Sequence, residues 1–111
     1  MTMTIFQCDF PFEGPWGAQL AEEFQGLARD IASEPSLVWK YWTENEDAKR
    51  AGGIYLFTNL PDAETYAKKH IARLAEAGVR DIVSWHFDVN SKLSAMTGAP
   101  GLARERYSRP L

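Results

Sequence analysis

The sequence predicts an α+β protein built on one four-stranded antiparallel sheet that carries its helices on a single face. The order of predicted elements is the first reason, because strand, helix, strand, strand, helix, strand is typical of the split βαβ arrangement. Size is the second reason, since 111 residues, 45% of them hydrophobic, suffice for one packed core and are too few for two. We expect a domain over residues 1–97 and a tail over residues 98–111.

A strand, a loop and a helix are predicted in the first third of the chain. Residues 4–10 are dense in apolar and aromatic side chains, which predicts a strand that Pro11 ends. Two prolines and two glycines among residues 11–17 predict a loop. Apolar side chains then recur every three or four positions over residues 18–32, which predicts one helix that Pro35 terminates.

A long hairpin is predicted next. Residues 37–43 form its first strand, residues 44–50 turn the chain, and Gly52-Gly53 opens a third strand over residues 54–57. Both faces of these two strands carry apolar side chains, although a sheet face without helices is normally polar. We therefore expect two sheets to pack face to face in a homodimer, as a dimeric α+β barrel.

A second helix, a last strand and a short helix complete the domain. Asn59 is expected to cap the second helix and Gly78 to end it. Residues 81–89 predict the last strand, after which Asn90 caps a short helix over residues 91–96. The inward stripe of the second helix is predicted to contain Ala63, Tyr66, Ala67, His70, Leu74 and Ala77.

Charge and cysteine content exclude several classes of partner and site. The chain has 12 Lys+Arg and 15 Asp+Glu, so its net charge of -3 gives no electrostatic reason to bind nucleic acid. Cys8 is the single cysteine, which excludes an intrachain disulfide and a cysteine-based metal site. No signal-peptide pattern and no run of 18 apolar residues occur, so we expect a cytoplasmic protein without a membrane partner.

Five segments together resemble one known family. They are Phe-Glu-Gly-Pro-Trp-Gly (12–17), Leu-Val-Trp-Lys-Tyr-Trp-Thr-Glu (37–44), Gly-Gly-Ile-Tyr-Leu-Phe-Thr (52–58), Lys-His-Ile-Ala-Arg-Leu (69–74) and Phe-Asp-Val-Asn (87–90). In this colinear order, over roughly residues 5–93, they resemble the YdhR-like monooxygenases of the dimeric α+β barrel superfamily. The tail from residue 98 onward is outside the resemblance.

The resemblance implies a ferredoxin-like protomer, a homodimer and an oxidoreductase activity. A small aromatic or quinol-like substrate would be oxidised by O2 in a pocket between sheet and helices. Related barrel members act on phenolic substrates without metal or flavin, so neither a metal nor another cofactor is expected. Haem-degrading relatives use an Asn, Trp and His set, which this sequence does not match: Gln7 or Asp9 stands where the Asn is needed, and His70 lies too early in its helix.

Oxidation by O2 without a cofactor needs a base in a dry pocket, because the substrate must become an anion before it gives up electrons. His70 is the predicted base, since an imidazole titrates near neutral pH. Its alternative role is that of a hydrogen-bonded histidine between helix and sheet. Arg73 is predicted to orient an anionic oxygen, or else to pair with Glu76 or Asp62. A hydroxyl donor to the substrate is predicted at Tyr55.

Aromatic side chains offer the surfaces on which such a substrate would stack. Because strand side chains alternate, only one face can line the pocket, and some of these residues must belong to the core or the dimer interface. Lys40 and Glu44 are expected to be solvated or interfacial charges, and His86 to fill space on its strand. The predicted substrate-binding residues are Trp39, Tyr41, Trp42, Phe57 and Tyr66.

Two other functions fit the same residues. One is a non-catalytic, stress-related barrel dimer that binds a small hydrophobic ligand, and the other is an isomerase or decarboxylase that uses the same base without O2. Oxygen uptake distinguishes both from a monooxygenase.

Overall fold

The structure, a computed structural model, describes residues 2–102 and contains one four-stranded sheet. The strand order is β2-β3-β1-β4, and every neighbouring pair is antiparallel. This is the predicted ferredoxin-like arrangement. Its elements are β1 (Thr4–Pro11), α1 (Gly17–Glu23), α2 (Gln25–Ala32), β2 (Leu37–Asn45), β3 (Arg50–Phe57), α3 (Leu60–Glu76), β4 (Val83–Asp88) and α4 (Ser91–Met96).

The central strand β1 determines which side of the sheet faces the helices. Its alternate side chains Thr4, Phe6, Cys8 and Phe10 are buried, as the period of two residues in a strand requires. We call this side of the sheet the inner face; it carries these four side chains and those of the residues paired with them on neighbouring strands. The opposite side is the outer face. The helices α1, α2 and α3 cover the inner face, and the main core lies between them and the sheet.

The helix predicted over residues 18–32 is two helices instead of one. The backbone of Phe24 leaves the helical region, with φ -105° and ψ 15°, although its N–H still bonds to the Leu20 carbonyl. No proline marks this break, and only Gly26, a weak helix former, follows nearby. The predicted apolar stripe survives the break, because Leu20 and Ile31 are both buried.

Strand boundaries differ from the predicted ones at the hairpin and at β4. Residues 50–53 already pair with β1 and β2, so Gly52 and Gly53 lie inside β3 instead of opening it. A Cβ at Gly52 would collide with the backbone of Cys8, which is why a glycine stands at this close approach. The last strand starts at Val83 and not at 81, because Asp81 has a positive φ of 55°.

The predicted ends of α3 and α4 are confirmed. The Asn59 side chain accepts a hydrogen bond from the Asp62 backbone N–H at 2.8 Å, and Gly78 follows α3 with a φ of 94°. Asn90 caps α4 in the same way through the Leu93 N–H at 3.1 Å. None of the helices within residues 2–102 is long and apolar enough to cross a membrane.

Large apolar side chains remain exposed on the outer face. Tyr41 is 59% exposed, Trp85 59% and Phe87 48%. Near β2 the outer face is covered by residues 100–101, where the Pro100 carbonyl accepts a hydrogen bond from the Trp39 indole at 3.1 Å. Part of the predicted tail therefore packs on the sheet, and residues 103–111 lie outside the described part of the chain.

Replacing the N-cap of α3 is expected to weaken the fold without changing its architecture. Asn59→Ala removes the acceptor for the Asp62 N–H and should lower the free energy of unfolding by about 1 kcal/mol. Asn59→Ser keeps a capping oxygen and should stay close to the wild type. Urea unfolding followed by circular dichroism measures both, and equal stability of all three proteins would contradict the cap.

Candidate functional site

A cavity of about 200 Å³ lies between the inner face and the helices. Strands β1, β2 and β3 form its floor, and side chains from α1, α2 and α3 and from the loop after β1 form its walls. Its lining is mainly apolar and aromatic, with few polar groups, as in typical sites for small organic ligands. The aromatic lining residues are Phe10, Phe12, Phe24 and Trp42, and the polar ones are Cys8, Lys40, Thr43 and His70.

The Lys40 side chain crosses the inner face beneath this cavity. Its Nζ lies 3.4 Å from the ring centroid of Trp42 and 4.5 Å from that of Tyr55, in cation–π geometry. A Cβ on Gly53 would lie 2.6 Å from Lys40 Cε, so the absence of a side chain at Gly53 makes room for the lysine stem. Within the described residues, Nζ has neither a carboxylate partner nor a hydrogen-bond acceptor.

Burial lowers the pKa of Lys40 from 10.5 to about 7, and the nearby positive charge of Arg73 acts in the same direction. The proximity of Cys8 acts in the opposite direction. Burial also raises the pKa of the Cys8 thiol, which therefore stays protonated at neutral pH. Lys40 consequently exists both as an amine and as an ammonium ion near pH 7. Lys40 is half-buried and contributes to the cavity lining, a placement that the sequence did not predict.

His70 is buried on α3, and its hydrogen bond determines its tautomer. Arg73 Nη2 lies 2.9 Å from His70 Nδ1, and a guanidinium can only donate, so Nδ1 accepts and Nε2 carries the hydrogen. Burial, reinforced by the charges of Lys40 and Arg73, lowers the pKa of His70 from 6.5 to about 3. His70 is thus a neutral hydrogen-bond donor through Nε2 and has no free nitrogen lone pair with which to accept a proton.

Arg73 joins two helices and orients the imidazole. Its Nη1 pairs with Asp30 of α2 at 2.8 Å, which is neither of the predicted partners. Glu76 makes no ion pair within the described residues, and Asp62 accepts from Ser36 near the start of α3. Glu44, expected to be solvated or interfacial, accepts a hydrogen bond from the Gly17 N–H at 2.9 Å and so anchors the start of α1 to β2.

Tyr55, Tyr66 and Phe57 belong to the core beside the cavity and do not line it. The Tyr66 hydroxyl donates to the Tyr55 hydroxyl at 3.3 Å, and the Tyr66 ring stacks on His70 with centroids 5.3 Å apart. Burial raises the pKa of Tyr66 to about 12 and that of Tyr55 well above its usual 10. Both hydroxyls therefore remain neutral.

Only two of the eight predicted site residues, His70 and Trp42, line the cavity. Trp39 and Tyr41 lie on the outer face, where their rings stack on each other at 4.9 Å. Sequence reasoning missed Lys40, although its alternation with Trp42 along β2 places both side chains on one face. Residues 2–102 contain no group of three or more His, Cys, Asp or Glu side chains arranged to hold a metal ion.

Comparisons with known proteins agree with this architecture. The family model described as "Putative mono-oxygenase ydhR" matches residues 5–100. A structural-genomics structure described as protein YJCS has a TM-score of 0.57 and 14% identity, covering 81% of this chain and 100% of its own; this likeness shows the fold alone. No curated protein matches. Because the family model spans far more than half of the sequence, the chain belongs to the YdhR mono-oxygenase family.

Proposed function

We propose that the protein is a monooxygenase that oxidises a small, uncharged aromatic or quinol-like substrate with O2 in the cavity between the sheet and the helices. Membership of a family of mono-oxygenases supports the reaction class. The observation that carries the substrate class is the cavity lining, in which aromatic walls surround a single amine, Lys40. An apolar cavity of about 150 Å³ is large enough for benzene, so the cavity here suits one substituted ring.

Larger substrates could extend into a neighbouring cavity of about 280 Å³ beside α1 and α2. The two cavities share Leu20, Phe24 and Trp42 in their linings. The rings of Phe24 and Trp42 meet edge to face with centroids 6.3 Å apart. We propose that a two-ring substrate binds when these two rings separate.

The proposed reaction starts with removal of a proton from a phenol or an activated methylene group. The resulting anion transfers electrons to O2, and a carbon–oxygen bond forms at the ring carbon or at the methylene carbon. One oxygen atom remains there as a carbonyl oxygen. The second leaves as water with the two hydrogens that the substrate has lost, so atoms and electrons balance.

In this reaction we assign the proton acceptor to Lys40. Its amine is free in a large fraction of molecules near neutral pH, and the ammonium ion formed by proton transfer stabilises the substrate anion in an apolar cavity. His70 donates from Nε2 to a substrate oxygen, instead of acting as the base predicted from the sequence. Arg73 is a positioning residue, because it acts by holding the imidazole of His70.

We also propose that the functional unit is a homodimer that buries the exposed outer face. The uncovered apolar side chains lie mainly on β4 and on the middle of β2. Monomeric proteins rarely expose a contiguous apolar patch of this kind. Packing of two such faces is the sheet-on-sheet contact of a dimeric α+β barrel.

Removing the amine is expected to abolish oxygen consumption. Lys40→Met keeps the apolar stem, and Lys40→Arg keeps a positive charge that does not accept protons at neutral pH. Both should lower kcat/KM at least about 100-fold in an oxygen-electrode assay with substituted hydroquinones and 1-naphthol. In the wild type, kcat/KM should rise with pH through an apparent pKa near 7.

The matched control is Lys92→Met, which removes an exposed lysine on α4 and should leave turnover unchanged. If no phenol of the panel gives protein-dependent oxygen uptake while calorimetry still detects binding of the same phenols, the protein is a ligand-binding protein and not a monooxygenase. Uptake that persists in Lys40→Met would remove the base assignment while keeping the reaction class.

His70 is expected to make the fold sensitive to acid. Its pKa is about 3 in the folded state and 6.5 in the unfolded chain, so between these values the unfolded chain binds more protons and stability falls as pH falls. Between pH 7 and pH 3, protonation of His70 in the unfolded chain should lower the free energy of unfolding by roughly 2–4 kcal/mol. His70→Gln cannot titrate but can still accept from Arg73, and its urea-unfolding free energy should lack this decrease. Identical pH dependence in both proteins would contradict a buried neutral imidazole.

Sedimentation equilibrium should give twice the chain mass for the wild type at micromolar concentration. A double variant, Trp85→Lys with Phe87→Lys, places charge on the outer face and should shift the protein to monomers. Leu60→Gln, at an exposed position on α3, is the control that should stay dimeric. A monomeric wild type would contradict the barrel.

A further inference from the structure

We propose that Lys40 is a nucleophilic amine that captures an uncharged aryl aldehyde in the cavity as a covalent imine on Nζ. The proposal uses the same cavity as the proposed oxidation but requires neither O2 nor turnover. It concerns a second class of ligand, aromatic carbonyl compounds, and a covalent step on the protein itself.

The surroundings of Lys40 leave its nitrogen available for reaction. No carboxylate pairs with Nζ among the described residues, whereas Lys69 is held by Glu34 at 2.8 Å. Aromatic faces support Nζ instead, at 3.4 Å and 4.5 Å from two ring centroids. An aromatic face attracts an ammonium or iminium ion but does not block the nitrogen lone pair of the free amine. The amine is therefore held in place without being consumed by an ion pair.

The step needs no partner other than the aldehyde. The Nζ lone pair forms a bond to the carbonyl carbon, the carbonyl oxygen takes up the two protons that nitrogen loses, and that oxygen leaves as water. The product is a C=N bond between Nζ and the former carbonyl carbon. Protonation of the imine keeps a positive charge over the Trp42 and Tyr55 rings, so the cation–π contacts are preserved.

The cavity lining selects the class of aldehyde. Its walls are apolar and aromatic, and Lys40 is the single lining residue with a basic side-chain amine or guanidinium. Imine formation binds the Lys40 nitrogen to the carbonyl carbon of the ligand. A carboxylate elsewhere on the ligand would then be buried with no second cationic side chain in the lining to pair with it. An uncharged aryl aldehyde is therefore preferred over its carboxylated analogue.

The protonation state supports this chemistry. A lysine in an apolar pocket or beside another cation is a known type of activated amine. Here burial is the larger influence on the pKa of Lys40, and the groups that face the amine are Cys8 from β1, Tyr55 from β3 and His70 and Arg73 from α3. Near pH 7 a large fraction of Lys40 is the free amine that the reaction requires.

Reductive trapping tests the proposal within one protein, since the chain has five lysines. The full chain is incubated at pH 7 with benzaldehyde and sodium cyanoborohydride under nitrogen, and benzylation of each lysine is quantified by peptide mass spectrometry. Lys40 should be modified at least about tenfold faster than Lys49, Lys68 and Lys92, because an ordinary lysine is almost fully protonated at this pH. Modification of Lys40 at the rate of the others, or slower, would overturn the proposal.

Two further arms test the position of the amine. With 4-carboxybenzaldehyde the excess modification of Lys40 should disappear, while the exposed lysines react as before. Gly53→Ala keeps the lysine but places a Cβ 2.6 Å from its Cε, and should reduce the modification rate at Lys40 about tenfold. Circular dichroism identifies folded variant protein. The cavity assignment would be overturned if Lys40 of folded Gly53→Ala were modified at the wild-type rate. Equal rates of Lys40 modification by the two aldehydes would also overturn it.

Cys8 is the other nucleophile in the cavity, and the experiment separates it from Lys40. Its thiol forms a hemithioacetal that cyanoborohydride does not convert into a stable adduct, so a permanent mass increase reports an amine. Because the reaction runs without O2, trapping at Lys40 is measured whether or not any phenol is oxidised. Failure of the oxidation and failure of aldehyde capture are therefore separate results.

Discussion

The antiparallel pairing of β1 with both β3 and β4 is the constraint on which the rest of the structure depends. Because β1 is central, its backbone is hydrogen-bonded to a strand on each side, so every second side chain must face the helices. Phe6 then belongs to the aromatic core, while Cys8 and Phe10 contribute to the cavity. The core and the cavity thus lie side by side on the inner face of the sheet, and α3 packs over both.

Two cations and one imidazole share this surface, and their geometry determines how each behaves. Arg73 pairs with Asp30 through one nitrogen of its guanidinium and donates to His70 with the other. His70 lies beside positive charge and away from water, so it stays neutral. Lys40 has no carboxylate partner among the described residues, and its burial lowers its pKa to about 7. In the proposed reaction, the donor His70 therefore lies on α3 and the acceptor Lys40 on β2.

Much of the fold follows from sequence patterns, and less of the site does. Capping by Asn59 and the inward position of His70 depend on local chemistry and on the helical period, which a sequence displays directly. The sequence does not display which face of β2 points to the helices, because Trp39, Tyr41 and Trp42 make both sides of this strand apolar. Only the register with β3 puts Lys40 opposite Tyr55 on the inner face. The His70 tautomer depends on a contact with Arg73 that a helical spacing of three permits but does not require.

The interruption of the first helix at Phe24 has a consequence for how the cavity is reached. It leaves α1 with seven residues and α2 with eight, both shorter than a helix needs to be stable by itself in water. Only Leu20 of α1 is buried, so little apolar packing opposes its transient unfolding. This wall of the cavity is therefore held by fewer buried side chains than α3, which buries five. We therefore expect the cavity to open to solvent at α1 before the sheet or α3 loses its native structure.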